Sequence, residues 1–331
     1  MVLTAKRWWF VQLVSLLLVG GAVVVAAHFG SQPITLGDIF VDRVGLPHQL
    51  FISIRFPRVL LGLVVGLALG GSGAALQGLL RNPLADPYIL GLASGAALGY
   101  VVAMILGVPF GLLPVFAFGS SLASMAIIYR LALIRGRLVP HILLLSGVVF
   151  NAFAFALILA LNLIFTTEQS HNILMLLIGS IGLESYPRIG WIAAIVLVAW
   201  AGLIFQGKGL NIMAQSGDEA LTLGVDVDRI RIKVFLLTSL MVGAVVSVAG
   251  LIGFVGLFIP HMVRLILGSD HRWVLPASGF LGAIALVLAD TLARTLLIQT
   301  DYMSELPVGV VTALVGGPFF LILLFREKRR W

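Results

Sequence analysis

Long apolar runs fill this chain, and the short polar, proline and glycine breaks between them mark out its elements. Ten runs read as helices, near residues 8–28, 58–80, 91–107, 114–134, 141–165, 189–206, 232–250, 257–268, 274–298 and 306–325. A spanning helix needs roughly 20 apolar residues to cross about 30 Å of hydrocarbon. Strand-type alternation is absent, which argues against an outer-membrane barrel. Backbone groups in lipid must find partners within the protein. The pattern therefore predicts an all-α membrane protein, with ten transmembrane helices in a single domain over 1–331. One break is unusual: Gly250-Leu251-Ile252-Gly253-Phe254-Val255-Gly256 holds almost nothing that water would favour. It is tolerable only if packed inside protein or turned back into the membrane.

Composition strengthens this reading. The 331 residues are 60% hydrophobic and 11% charged, with mean hydropathy +1.12, whereas soluble domains carry about 25% charged residues. There is no cysteine, so disulfides and thiolate metal sites are excluded. The net charge of +7 is spread over short separate loops, which is no nucleic-acid footprint. The first apolar run, from Trp8, follows Lys6 and Arg7 as a signal peptide would. At about 20 residues it exceeds a secretory core and reads as a retained helix.

Lysine and arginine set the orientation. With the N-terminus inside, sixteen of the 21 basic residues fall on the inner side, and Arg43, Arg55, Arg58, Arg188 and Arg294 fall outside. Both termini are then cytoplasmic. Loops near 29–57 and 166–188 lie outside, and the longest inner connection is 207–231. Within it, Glu219-Ala220-Leu221-Thr222-Leu223-Gly224 reads as a short amphipathic helix stopped by glycine. That connection is either a docking element or a solvated connector.

Two glycine series predict close helix packing: Gly62, Gly66 and Gly70, then Gly91, Gly95 and Gly99. At an offset of 177 residues, Gly66, Gly73 and Pro83 fall on Gly243, Gly250 and Pro260, which suggests an inverted internal repeat.

Few residues here could carry chemistry. Asp290 and Arg294 stand one turn apart near the outer end of the ninth run, where a structural i,i+4 pair can form. His141 and His261 are isolated in sequence, and no HExxH motif or carboxylate cluster suggests a metal. Gly91-Leu92-Ala93-Ser94-Gly95 is superficially like the serine turn of intramembrane proteases, but no partner histidine is evident. No GxxxxGK[ST] loop offers to bind ATP.

Four strings together carry a family resemblance: RFPR at 55–58, QGLLRNPLADPYILG at 77–91, GLIGFVGLFIPHMVR at 250–264 and ELPVGVVTALVGGP at 305–318. The chain resembles, nearly end to end, the permease subunit of type II ABC importers for iron chelates, haem and cobalamin (the cobalamin-importer-like class). The resemblance implies a homodimer in the bacterial cytoplasmic membrane, in contact with lipid. It also implies two cytoplasmic ATPase subunits that hold ATP and magnesium, and an external substrate-binding protein. The chain itself would bind no cofactor and no nucleic acid and would not be an enzyme. The cargo would be an iron-siderophore, haem or cobalamin. The alternative is a self-contained secondary transporter or channel, which would need an intramembrane ion site.

The resemblance also assigns residues. Arg55, Arg58 and Arg294 match the outer arginines that meet acidic residues of the binding protein; the competing reading is that they snorkel and anchor helix ends. The ATPase-coupling segment falls on Ser216, Gly217, Asp218, Glu219, Ala220, Leu221, Leu223 and Gly224, with serine at 216 where the family usually has glycine. Asn82 and Leu84 match the inner gate. Pro140 and His141 occupy the neighbouring gate positions, where some relatives carry small hydroxylated residues. Relatives line their pathway largely with the fifth helix, whose Asn151, Phe153, Phe155 and Asn162 either face the conduit or pack.

Overall fold

The computed structural model describes residues 5–29, 45–135, 137–216, 226–296 and 305–328. The helices, in chain order, are α1 (Ala5–His28), α2 (Leu46–Leu50), α3 (Phe56–Leu80), α4 (Leu92–Ile105), α5 (Leu113–Leu131), α6 (Pro140–Asn162), α7 (Thr167–Ile178), α8 (Tyr186–Phe205), α9 (Gly207–Ser216), α10 (Val227–Ala249), α11 (Val255–Leu267), α12 (His271–Thr295) and α13 (Val308–Lys328). Each of the ten expected apolar runs coincides with a helix. Among the described residues, seven helices are long and apolar enough to cross a membrane, and Leu92–Ile105, Val255–Leu267 and Val308–Ile322 are shorter apolar stretches. The only sheet among the described residues is a two-stranded hairpin, β1 (Leu133–Ile134) with β2 (Arg137–Leu138).

The central element is α3. It is apolar on every side, as a helix enclosed by other helices must be, and nearly all of its residues are buried. Its glycines make this possible. A Cβ on Gly66 would lie 2.3 Å from the Gly282 carbonyl oxygen, and one on Gly70 would lie 2.2 Å from that of Ser278, both in α12. A Cβ on Gly73 would lie 2.0 Å from the Gly256 carbonyl oxygen in α11. Glycine thus brings three backbones into direct contact, where dispersion replaces the missing hydrophobic drive between helices. The second series acts likewise. Gly95 meets Ser124 and Gly99 meets Ser120, seating α4 on α5. By contrast, α1, α5, α6 and α8 present broad apolar faces outward, with Trp9 at 69% and Phe205 at 82% exposure. Such surfaces suit lipid or another protein chain.

Some elements depart from expectation. The chain after α1 is helical again from Leu46, where Pro47 sits in the first turn. A π-turn over Phe51–Arg55 then joins α2 to α3. The Phe56 amide donates to the Phe51 carbonyl, five residues back, just before Pro57 removes a donor from the ladder. The connection between α6 and α8 contains α7, started by a reciprocal capping box between Thr166 and Gln169. Within the 207–231 connection, α9 occupies 207–216 and α10 begins at Val227, capped by the Asp226 carboxylate.

The dry break at 250–254 lies inside the protein. Its hydrogen bonds come from the end of α7: Leu251 N–H donates to Leu176 O at 2.7 Å, and Ser180 N–H to Ala249 O at 2.9 Å. The start of α13 joins this junction through Gly309 N–H to Gly179 O at 3.0 Å. Gly250 (φ 66) and Phe254 (φ 68) adopt left-handed backbone there. A Cβ on Gly250 would strike Leu176 O at 2.2 Å.

Candidate functional site

The expected outer arginines converge at one end of the bundle. Arg58, in the first turn of α3, reaches across to α12. Its Nε and Nη2 donate to both carboxylate oxygens of Asp290 at 3.0–3.2 Å, a two-pronged pairing. Its Nη1 donates to Glu305 at 2.5 Å. Arg294 approaches the same Asp290 through Nε at 3.1 Å, one turn along α12. Arg55 lies at the end of the π-turn and donates to Ala27 O in α1 at 3.0 Å. Asp290 is buried at 2%, Arg294 is buried beside it, and Arg55 is buried as well. The close approach of Gly66 to Gly282 brings α3 and α12 near enough for Arg58 and Asp290 to meet.

The i,i+4 pair of Asp290 and Arg294 is therefore present, but its larger partner is Arg58, 232 positions away in sequence. Asp290 thus has an arginine on either side.

The residues expected at the gate lie at the other end of α3. Arg81 closes the helix in left-handed backbone (φ 50). The Asn82 side chain accepts from the Leu84 amide at 2.9 Å, forming a tight Asx-type turn. A cavity of about 500 Å³ opens beside it, lined by Arg81, Asn82, Pro140, His141, Met213 and Arg231 among others. The structure thus brings Asn82, Pro140 and His141 to one place. Leu84 is partly exposed next to them and is not part of the lining.

Asp86, in the connection after α3, is buried, and burial pushes its carboxyl up to about 6. The Tyr88 amide, donating at 2.7 Å, opposes that shift. Burial also works against the Asp270 carboxylate, but hydrogen bonds from Arg272 and Asn211 prevail and draw it down to about 2. Asn211 binds Asp270 at 2.7 Å and the His271 amide at 2.8 Å, tying α9 to the start of α12.

Of the fifth-helix residues, Asn151 is occupied. Its amide donates to Tyr88 O at 2.7 Å and accepts from Ser94 at 2.5 Å, so it clamps the turn before α4. Ser94 also lies 3.3 Å from Gly91 O, which gives this serine a structural place in the turn. Phe153 and Phe155 lie on the outward face of α6. The expected coupling segment lies outside the described residues from Gly217 to Gly224, and Ser216 ends α9. Arg43 also lies outside them.

One feature was missed in the sequence. Gln77 of α3 donates its amide to Gly256 O at 3.2 Å and to Leu257 O at 3.1 Å, and its carbonyl accepts from Arg264. Pro260 is the signal that could have found it. A proline within a helix has no N–H for the carbonyl four residues back, here Gly256, so an outside donor is needed.

Comparison with known proteins places this architecture. The model of the FecCD transport family matches residues 14–326. The chain belongs to this family. It is a multi-pass membrane permease. It is 40% identical over 291 residues to the hemin transport system permease protein HmuU of Yersinia pestis, covering 85% of each chain. It is 37% identical over 325 residues to the vitamin B12 import system permease protein BtuC of Citrobacter koseri, covering 97% of this chain and 95% of that one. A solved structure of an inward-facing, metal-chelate type ABC transporter superposes with a TM-score of 0.82 at 28% identity, covering 96% of this chain and 99% of that one. Within the FecCD chain, the arginine cluster and the Asn82 turn occupy opposite ends of α3.

Proposed function

We propose that this chain is the transmembrane permease subunit of an ATP-driven importer that carries an iron-siderophore, haem or cobalamin from an external binding protein into the cytoplasm. The near end-to-end likeness to haem and vitamin B12 permeases carries this reading. The subunit spans the membrane ten times with both termini inside, its halves related by an inverted repeat, and it works as a homodimer. Two cytoplasmic ATPase subunits bind ATP and magnesium; the permease holds no cofactor and performs no covalent chemistry. The 207–231 connection couples nucleotide-driven motion to the helices. Asn82, Leu84, Pro140 and His141 form the inner gate, and α6 with Phe155 faces the pathway.

The binding protein docks on Arg55, Arg58 and Arg294. Their clustering at one end of the bundle supports this. Burial and internal pairing limit how they act: Arg58 keeps one edge of its guanidinium outward, whereas Arg55 and Arg294 lend the patch positive charge. Complementary charge of this kind sets encounter rate and register. Charge reversal is the test. Arg58→Glu should impair uptake, and an acidic-to-basic change in the binding protein should partly restore it. Full uptake after single replacement of each of the three arginines would contradict the docking role.

A further inference from the structure

The guanidinium of Arg58 is shared by two unlike carboxylates. Asp290 is 2% exposed, is also paired with Arg294, and takes the Nε and Nη2 edge. Glu305 is 53% exposed and touches Nη1 alone. A guanidinium has a second edge on which a carboxylate can sit, and Glu305 stands on that edge. We infer that Glu305 is a built-in competitor for the docking arginine: it covers the outward edge of Arg58 when no partner is present, and an acidic side chain of the binding protein displaces it. The inference rests on the docking role proposed above.

The two acids differ in how easily they leave. Removing Asp290 from Arg58 would strand buried charge, which is costly. Glu305 can rotate into water, where exposed pairs are weak. Its departure need not unseat α13, because that helix is held separately by Gly309 N–H on Gly179 O at 3.0 Å. Asp290 thus fixes where Arg58 points, and Glu305 sets how readily it is available. A displaced Glu305 also remains near the incoming carboxylate and repels it. Docking is then weaker than the arginine alone would give, which suits a partner that must leave in every transport cycle.

The test is a double-mutant cycle on the intact permease–ATPase complex in nanodiscs, titrated with its cognate binding protein free of cargo. Glu305→Gln should tighten binding about three- to fivefold, the upper part of the range of an exposed ion pair. In an Arg58→Gln background the same substitution should change affinity less than about twofold. Equal tightening in both backgrounds would mean that Glu305 acts only through the general field, and would overturn the inference. Unchanged or weaker binding by Glu305→Gln, with Arg58→Gln still weakening it, would overturn the competition and leave docking intact. If Arg58→Gln itself binds like the wild type, the docking role fails and the competition fails with it. Glu305→Asp, whose shorter side chain falls short of Arg58 but keeps the charge and its repulsion, should tighten binding, though less than Glu305→Gln does; no tightening at all would also count against competition.

Discussion

Gln77 of α3 donates its side-chain amide to the carbonyl oxygen of Gly256, at 3.2 Å, and Gly256 is the residue whose helical donor Pro260 removes. This one side chain repairs the break that proline makes in α11 and also receives Arg264. Gln77→Leu leaves two carbonyls and a guanidinium without that partner in a buried place. The expected loss is about 2–3 kcal/mol, read as a lower thermal midpoint of the detergent-purified protein. Pro260→Ala restores the missing N–H, so the double variant should lose less than the two single losses together. Strict additivity would contradict the repair.

The contact of α3 with α12 is sensitive to a single carbon. Gly66→Ala places a Cβ 2.3 Å from Gly282 O, where backbone and not a flexible side chain must move. A loss of about 2 kcal/mol or more is expected, together with disturbance of the Arg58–Asp290 pairing beyond it. Gly20→Ala in α1 is the control. Nothing lies within 4 Å of its Cβ position, and the substitution should leave stability unchanged or slightly raised. Thermal melts of the two variants side by side test the contrast.

Asp86 predicts a pH dependence with a definite sign. Its carboxyl rises from 3.8 to about 6 on burial, so between those values the folded chain holds a proton that the unfolded chain has released. Stability from this group therefore falls as pH rises through that window, and the deficit is constant above it. Asp86→Asn cannot ionise and can still accept from the Tyr88 amide. Its advantage over the wild type should be absent below about pH 4 and should grow to roughly 2–3 kcal/mol above pH 6. Melting temperatures of both proteins from pH 4 to 7.5 give the difference curve. A flat difference would contradict the burial account.

Asp290 joins α3 to α12 through Arg58 while pairing with Arg294. Asp290→Ala leaves two largely buried arginines without their shared counter-ion, and a loss of about 3–5 kcal/mol is expected. Replacement of Glu305, by contrast, should cost under about 1 kcal/mol, because its pair with Arg58 is half open to water. Chemical or thermal unfolding of both variants tests this ranking.

The ten apolar runs were legible because lipid imposes long uninterrupted hydrophobic segments, and each run coincides with a helix. The extra helices were less visible. In α7 the Thr166 and Gln169 capping pair was available, but at 12 residues the helix is too short to read as a span. The start of α10 lies ahead of its apolar core because Asp226 caps charged residues that extend out of it. The internal role of both glycine series could be read from their four-residue spacing. Their partners could not, since Gly282 and Ser120 carry no complementary signal. For the same reason Asp290 was linked in sequence to its helical neighbour Arg294, and Arg58 emerged only once α3 and α12 were packed. Asn151 was similarly ambiguous, because one face of α6 is distinguished from another only by the Tyr88 carbonyl it holds.

Energy supplied from the cytoplasmic side and cargo handed over from outside make up the central claim. Uptake into proteoliposomes tests it most directly, with the chain reconstituted alone or with its cognate ATPase and binding protein, and with radiolabelled haem, ferric siderophore or cobalamin outside. The account predicts accumulation only when ATP inside, the ATPase and the loaded binding protein are all present. Accumulation by the chain alone, driven by an ion gradient and indifferent to nucleotide, would contradict it.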